Sequence, residues 1–146
     1  MPNTDRSRGA AAAAHRCGIL IIDDDAEIRE LLRVALTPDG YMVAGLPDGR
    51  EALHYLRSHA ETCIILLDLL LPVMDGAHFR AAQTRDRALA WIPLVVMSAA
   101  VDADRRAKEI GARRLIRKPL DLDEVRQVLR TIGCCQARPM RAPVRV

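Results

Sequence analysis

Two hydrophobic periods alternate along the chain. Five short, nearly unbroken apolar runs occur at residues 18–22, 42–46, 64–67, 94–97 and 113–117. Between them apolar residues recur at a spacing near 3.6, the period of a helix with one buried face. The first such stretch carries Ile28, Leu31, Leu32, Ala35 and Leu36 and is ended by Pro38 and Gly40. The second carries Ala52, Leu53 and Leu56. The third starts near Asp75 and Gly76 and carries Phe79 and Ala82. The fourth carries Ala103, Ala107 and Ile110 and is closed by Gly111. The last carries Leu122, Val125, Val128, Leu129 and Ile132, with Asp121 and Glu124 spaced as a capping box. Strict alternation of strand and helix predicts a parallel sheet with helices on both faces.

Hydrophobicity also orders the strands. Runs one, three and four are continuous aliphatics, which suits strands covered on both faces. Run two contains Gly45, and run five contains Arg113, Arg114 and Arg117, so these two belong at the edges. The result is a doubly wound five-stranded α/β sheet in the order 2-1-3-4-5. In such sheets the functional site lies beyond the carboxyl ends of the strands, where the order reverses between strands one and three.

Composition limits the alternatives. The 146 residues suffice for one domain, expected at 17–133, with flexible tails at 1–16 and 134–146. Only four residues are Phe, Trp or Tyr, so the core must be aliphatic. The formal charge of +3 is carried by the ends, and the central part has a net −2. The basic balance therefore gives little support to nucleic-acid binding, and no aromatic-rich basic face adds to it. Cys17, Cys63, Cys134 and Cys135 show neither metal nor disulfide-framework spacing. They are expected to be reduced thiols of a cytoplasmic protein. No apolar run approaches the roughly 18–20 residues of a membrane span.

The chemistry lies at the strand ends. Asp23, Asp24 and Asp25 follow strand one, Asp68 follows strand three, Ser98 follows strand four, and Lys118 with Pro119 follows strand five. Strand two ends in Leu46 and Pro47 and offers nothing. Carboxylates crowded on one rim repel one another, by about 1–4 kcal/mol per close pair at dielectrics of 80 to 20. A hard divalent ion such as Mg²⁺ resolves that repulsion and keeps sites open for phosphate. Only Lys108 and Lys118 among the 22 basic residues are Lys, so an ammonium at the end of strand five stands out against a background of Arg. Carboxylate nucleophile, metal, lysine and hydroxyl are the parts of phosphoryl transfer to an aspartate. Each residue alone reads more simply as a helix cap, a turn or a surface charge. Their occurrence together, in order, on one rim is what favours chemistry. Asp75 is expected to cap the third helix.

The segments 19–25 (ILIIDDD), 64–76 (IILLDLLLPVMDG), 94–99 (LVVMSA) and 118–119 (KP) together resemble the receiver domain of bacterial response regulators, over roughly residues 17–133. That resemblance implies a flavodoxin- or CheY-like fold and a phosphorelay role. Asp23 and Asp24 would be the acidic pair holding Mg²⁺, Asp68 the phosphoacceptor and a third metal ligand, and the Leu70 backbone carbonyl would complete the metal site. Ser98 would be the switch hydroxyl and Lys118 the phosphate-binding lysine, joined to Pro119 by a cis bond. Asp25 would not be a ligand. Two positions depart from the family pattern. Leu115 stands where many receivers carry an aromatic switch ring. Leu70 and Ala100 stand where side chains flank the path of hydrolytic water, and neither can orient water.

The expected function is a stand-alone response regulator, with no chain after Ile132 for a DNA-binding or catalytic domain. It would be phosphorylated by a sensor histidine kinase or a histidine phosphotransfer protein and would act through a downstream protein target. It would be no enzyme beyond assisting its own phosphorylation and dephosphorylation. A metal-dependent phosphatase of a related α/β fold is the alternative from the enzyme class. It would need a second Asp on the strand-three loop, where 68–70 reads Asp-Leu-Leu. A receiver that has lost phosphorylation and serves only as an interaction module is a third reading, opposed by the complete residue set.

Overall fold

The computed structural model describes residues 17–133. The expected tails at 1–16 and 134–146, with Cys134 and Cys135, lie outside the described residues. Five strands, β1 (Gly18–Ile22), β2 (Met42–Leu46), β3 (Thr62–Asp68), β4 (Leu94–Ser98) and β5 (Arg114–Arg117), alternate with five helices. The helices are α1 (Ala26–Leu36), α2 (Gly49–Ser58), α3 (Gly76–Arg85), α4 (Ala103–Glu109) and α5 (Leu122–Ile132). The strands are all parallel, in the order β2-β1-β3-β4-β5.

The continuous aliphatic runs are the central strands. Every residue of β1, β3 and β4 is buried, because helices cover both faces and each strand sends successive side chains to opposite sides. Leu20, Ile22, Ile65, Leu67, Leu94 and Val96 join Leu53, Leu56 and Phe79 in one core layer. Ile19, Ile21, Ile64, Leu66, Val95 and Met97 join Leu32, Leu36, Val125 and Leu129 in the other. The two strands expected at the edges are there and are half exposed.

Boundaries differ from expectation in a consistent way. β3 runs on to Asp68 and β4 to Ser98, so these two residues end their strands and take their direction from the sheet ladder. α4 stops at Glu109, with Ile110 as its cap and Gly111 turning at φ 72°. Asp121 caps α5 by accepting from Asp123 N–H, in place of the reciprocal box with Glu124. Cys63 is a buried free thiol, but Cys17 is disulfide-bonded, which corrects the expectation of reduced cysteines at that position. Cys17 opens the chain into β1, at the end of the sheet opposite the rim of Asp23 and Asp68. Among the described residues no helix is long and apolar enough to cross a membrane.

One buried polar residue holds the approach to β4. Gln83 on α3 has no exposed surface, and its Nε2 donates to the carbonyls of Leu89 (2.9 Å) and Ile92 (3.0 Å). Its Oε1 accepts from Arg80, which also donates to the Ile110 and Gly111 carbonyls at the end of α4. Removing the Gln83 amide leaves the buried Ile92 carbonyl without its donor, while the Leu89 carbonyl keeps only the Ile92 N–H. Gln83→Ala should therefore lower unfolding stability by about 2–3 kcal/mol. Removing the exposed α2 cap by Asp48→Ala should cost only about 1 kcal/mol. Urea titration of both variants checks this, and equal losses would contradict it.

Candidate functional site: an acidic rim closed by one lysine

Folding alone accounts for most of the aspartates near the helix starts. Asp25, Asp48, Asp75 and Asp121 are the N-caps of α1, α2, α3 and α5, and each accepts a backbone N–H of the first turn. Asp75, capping α3 through His78 N–H at 2.8 Å, is where it was expected. Asp25, engaged with Glu27 N–H at 2.9 Å, is outside the acidic cluster. Asp23, Asp24 and Asp68 have no such role.

The topology brings these three together. β1 and β3 are neighbours, so their carboxyl ends meet on one rim. One carboxylate oxygen from each of Asp23, Asp24 and Asp68 lies within 4.8 Å of the others. Asp23 has no exposed surface and Asp68 is 7% exposed, whereas Asp24 faces solvent. Lys118 reaches in from the end of β5. Its Nζ donates to Asp23 Oδ2 at 2.7 Å and to Asp68 Oδ2 at 3.2 Å. The Lys118–Pro119 bond is cis, as expected.

Burial pushes the Asp68 carboxyl above its ordinary range, and the Asp23 charge adds to this. The Leu70 N–H at 3.1 Å and the Lys118 ammonium offset the rise only in part. Burial pulls Lys118 down, but the Asp23 hydrogen bond and the Asp68 and Asp23 charges outweigh it, and the ammonium is held above its ordinary value. Three carboxylates against one ammonium leave two uncompensated negative charges. The donors are all hard oxygens, and one of them opens to solvent. A small divalent cation fits that set in charge and in ligand type. Leu70 N–H bonds to Asp68, and the Leu70 side chain is 61% exposed beside the acceptor.

Ser98 is buried at the end of β4, and its Oγ accepts from Ala100 N–H at 3.1 Å. Its hydroxyl therefore bonds within its own loop and not to the acidic group. Leu115 is half buried and packs with Ala100 against the core layer beneath. Two contacts of the rim were not legible in the sequence. Arg29 Nη1 donates to the Asp23 carbonyl at 2.6 Å. Arg117 on β5 pairs with Asp104 and reaches the Ala100 carbonyl at 3.5 Å, tying the loop after Ser98 to the edge strand. The sole sequence signal for Arg29 was a glycine in a strand facing it.

The family description Response regulator receiver domain matches residues 19–130, and the chain belongs to that family. It is 33% identical over 126 residues to the transcriptional regulatory protein CseB of Streptomyces coelicolor, covering 82% of this chain and 52% of that protein. It is 34% identical over 132 residues to a protein-glutamate methylesterase/protein-glutamine glutaminase of Cereibacter sphaeroides, covering 86% of this chain and 35% of that one. The chain spans about half the length of these curated regulators. Among solved structures, the Vibrio cholerae chemotaxis protein CheY4 superposes with a TM-score of 0.73 at 26% identity, over 80% of this chain and 98% of that one.

The geometry separates the roles of Asp24 and Ser98. Asp24 contributes a charge to the acidic cluster, and Ser98 contributes none. Asp24→Ala should weaken Mg²⁺ binding, by calorimetric titration, much more than Ser98→Ala. Equal losses would show that the acidic pair is misplaced.

Proposed function

We propose that this receiver is phosphorylated on Asp68 in a Mg²⁺-dependent reaction and that the phosphorylated form changes its protein contacts. The observation that carries this is the rim itself: three carboxylates within 4.8 Å, with one ammonium bonded to two of them. Asp23, Asp24, Asp68 and the Leu70 carbonyl would hold the ion, which neutralises phosphoryl oxygens as charge develops on them. An oxygen of the Asp68 carboxylate attacks phosphorus. The bond from phosphorus to the donor atom, a histidine nitrogen or an acyl oxygen, breaks and leaves its electron pair with the donor. Lys118 already sits 3.2 Å from the acceptor oxygen, so it can follow the new negative charge with little movement. Ser98 Oγ exchanges its Ala100 contact for a phosphoryl oxygen. That exchange moves the loop that Arg117 ties to β5.

The donor is a sensor histidine kinase or a histidine phosphotransfer protein. The chain acts on no other substrate. Output of this domain through protein contact is supported by the net −2 of its central part, which offers nucleic acid no basic face. With Leu115 in place of an aromatic ring, the signal passes through the loop after β4.

Treating the protein with Mg²⁺ and acetyl phosphate should add one phosphoryl group by intact mass, and Asp68→Asn should add none. The adduct should then decay slowly. Leu70 shields the acceptor without orienting water, and Ala100 is too small to do so, while positioning supplies much of the rate in phosphoryl transfer. Leu70→Asn with Ala100→Glu should shorten its lifetime. An adduct that persists in Asp68→Asn, or a double variant that decays no faster than wild type, would overturn this reading.

A further inference from the structure

Asp23 has a partner for every polar atom. Its N–H donates to the Leu46 carbonyl (3.1 Å), Oδ1 accepts from Asp25 N–H (2.9 Å), and Oδ2 accepts from Lys118 (2.7 Å). The fourth contact comes from Arg29, whose Nη1 reaches the Asp23 carbonyl at 2.6 Å. Arg29 sits one turn into α1, and its stem lies against β2 on the way back to the end of β1.

Gly45 is what makes room. A Cβ at position 45 would lie 3.0 Å from Arg29 Cδ, 3.1 Å from its Cβ and 3.3 Å from its Cγ. Glycine inside a strand weakens it and marks a close approach by another group. Gly45 is not among the positive-φ glycines, which are Gly40, Gly111 and Gly133, so its backbone does not demand glycine. The stem of Arg29 supplies the reason.

We infer that Arg29 is a positioning residue for the cation site: through the Asp23 carbonyl it fixes the turn between β1 and α1, and Gly45 is the gap that lets it do so. The turn carries Asp23 and Asp24 together, so its orientation sets the spacing of two carboxylates. Mg²⁺ demands near-ideal octahedral geometry and is sensitive to that spacing. By charge alone Arg29 opposes a bound cation. Its two effects on affinity therefore have opposite signs, and measurement can separate them. The inference rests on the proposal that the rim binds Mg²⁺.

The test is Mg²⁺ titration of the full chain as wild type, Arg29→Ala, Gly45→Val and the double variant, each confirmed folded by circular dichroism. Arg29→Ala should bind Mg²⁺ about tenfold more weakly, the lower end of what outer-shell partners of metal sites contribute. Gly45→Val keeps the charge but displaces the stem, so it should also weaken binding. It should add nothing once Arg29 is Ala, because both changes break one contact. Unchanged or tighter binding in Arg29→Ala, or additive losses in the double variant, would overturn the inference. If Arg29→Ala does not fold, the Gly45→Val result decides, and unaltered affinity there overturns it. A wild type that binds no Mg²⁺ would remove the metal reading itself, and the inference with it.

Discussion

The paired contacts of Lys118 with Asp23 and Asp68 are the constraint on which the rest of this structure turns. An ammonium and two carboxylates are taken largely out of water at the end of the sheet. Buried charges persist only where they are paired and hydrogen-bonded. That requirement fixes which strands must be neighbours. β1 and β3 must lie side by side to bring Asp23 to Asp68, and β5 must approach closely enough for Lys118 to cross the end of β4. The 2-1-3-4-5 order satisfies both. The two aliphatic layers hold the strands rigid enough for three side chains from distant parts of the chain to meet within hydrogen-bond distance.

The pairing is deliberately incomplete in charge. One ammonium balances one carboxylate, and the raised Asp68 carboxyl reflects a group held in a buried and still negative environment. Such a cluster of hard oxygen donors suits a small divalent cation. Stability and function are thereby linked. The same repulsion that would weaken the metal-free fold makes the rim receptive to a cation.

Much of this was legible in the sequence because it follows from periodicity and strand ends. The buried runs gave β1, β3 and β4 their central places, and Gly45 and the arginines of run five marked the edges. Asp23, Asp24, Asp68, Ser98 and Lys118 could be found by reading the residue at each strand's carboxyl end. The polar contacts that support the site could not be found in that way. Arg29 on the Asp23 carbonyl, Arg117 on Asp104 and the Gln83 amide under β4 are long side chains, and their partners depend on tertiary geometry. In the sequence each resembles an ordinary polar residue of a helix or an edge. The bonded state of Cys17 was hidden for the same reason, since spacing along the chain says little about which thiols meet in space.

The rim carries uncompensated negative charge, which Mg²⁺ should relieve. Thermal unfolding of wild type and Asp24→Asn, each with and without Mg²⁺, tests it most directly. Asp24 is exposed and caps no helix, so the amide removes charge without disturbing the fold. Metal-free Asp24→Asn should melt above metal-free wild type. Mg²⁺ should raise the melting temperature of wild type, as a ligand of the native state does, and should raise that of the variant far less. A variant that melts lower without metal, yet responds to Mg²⁺ as fully as wild type, would contradict the account.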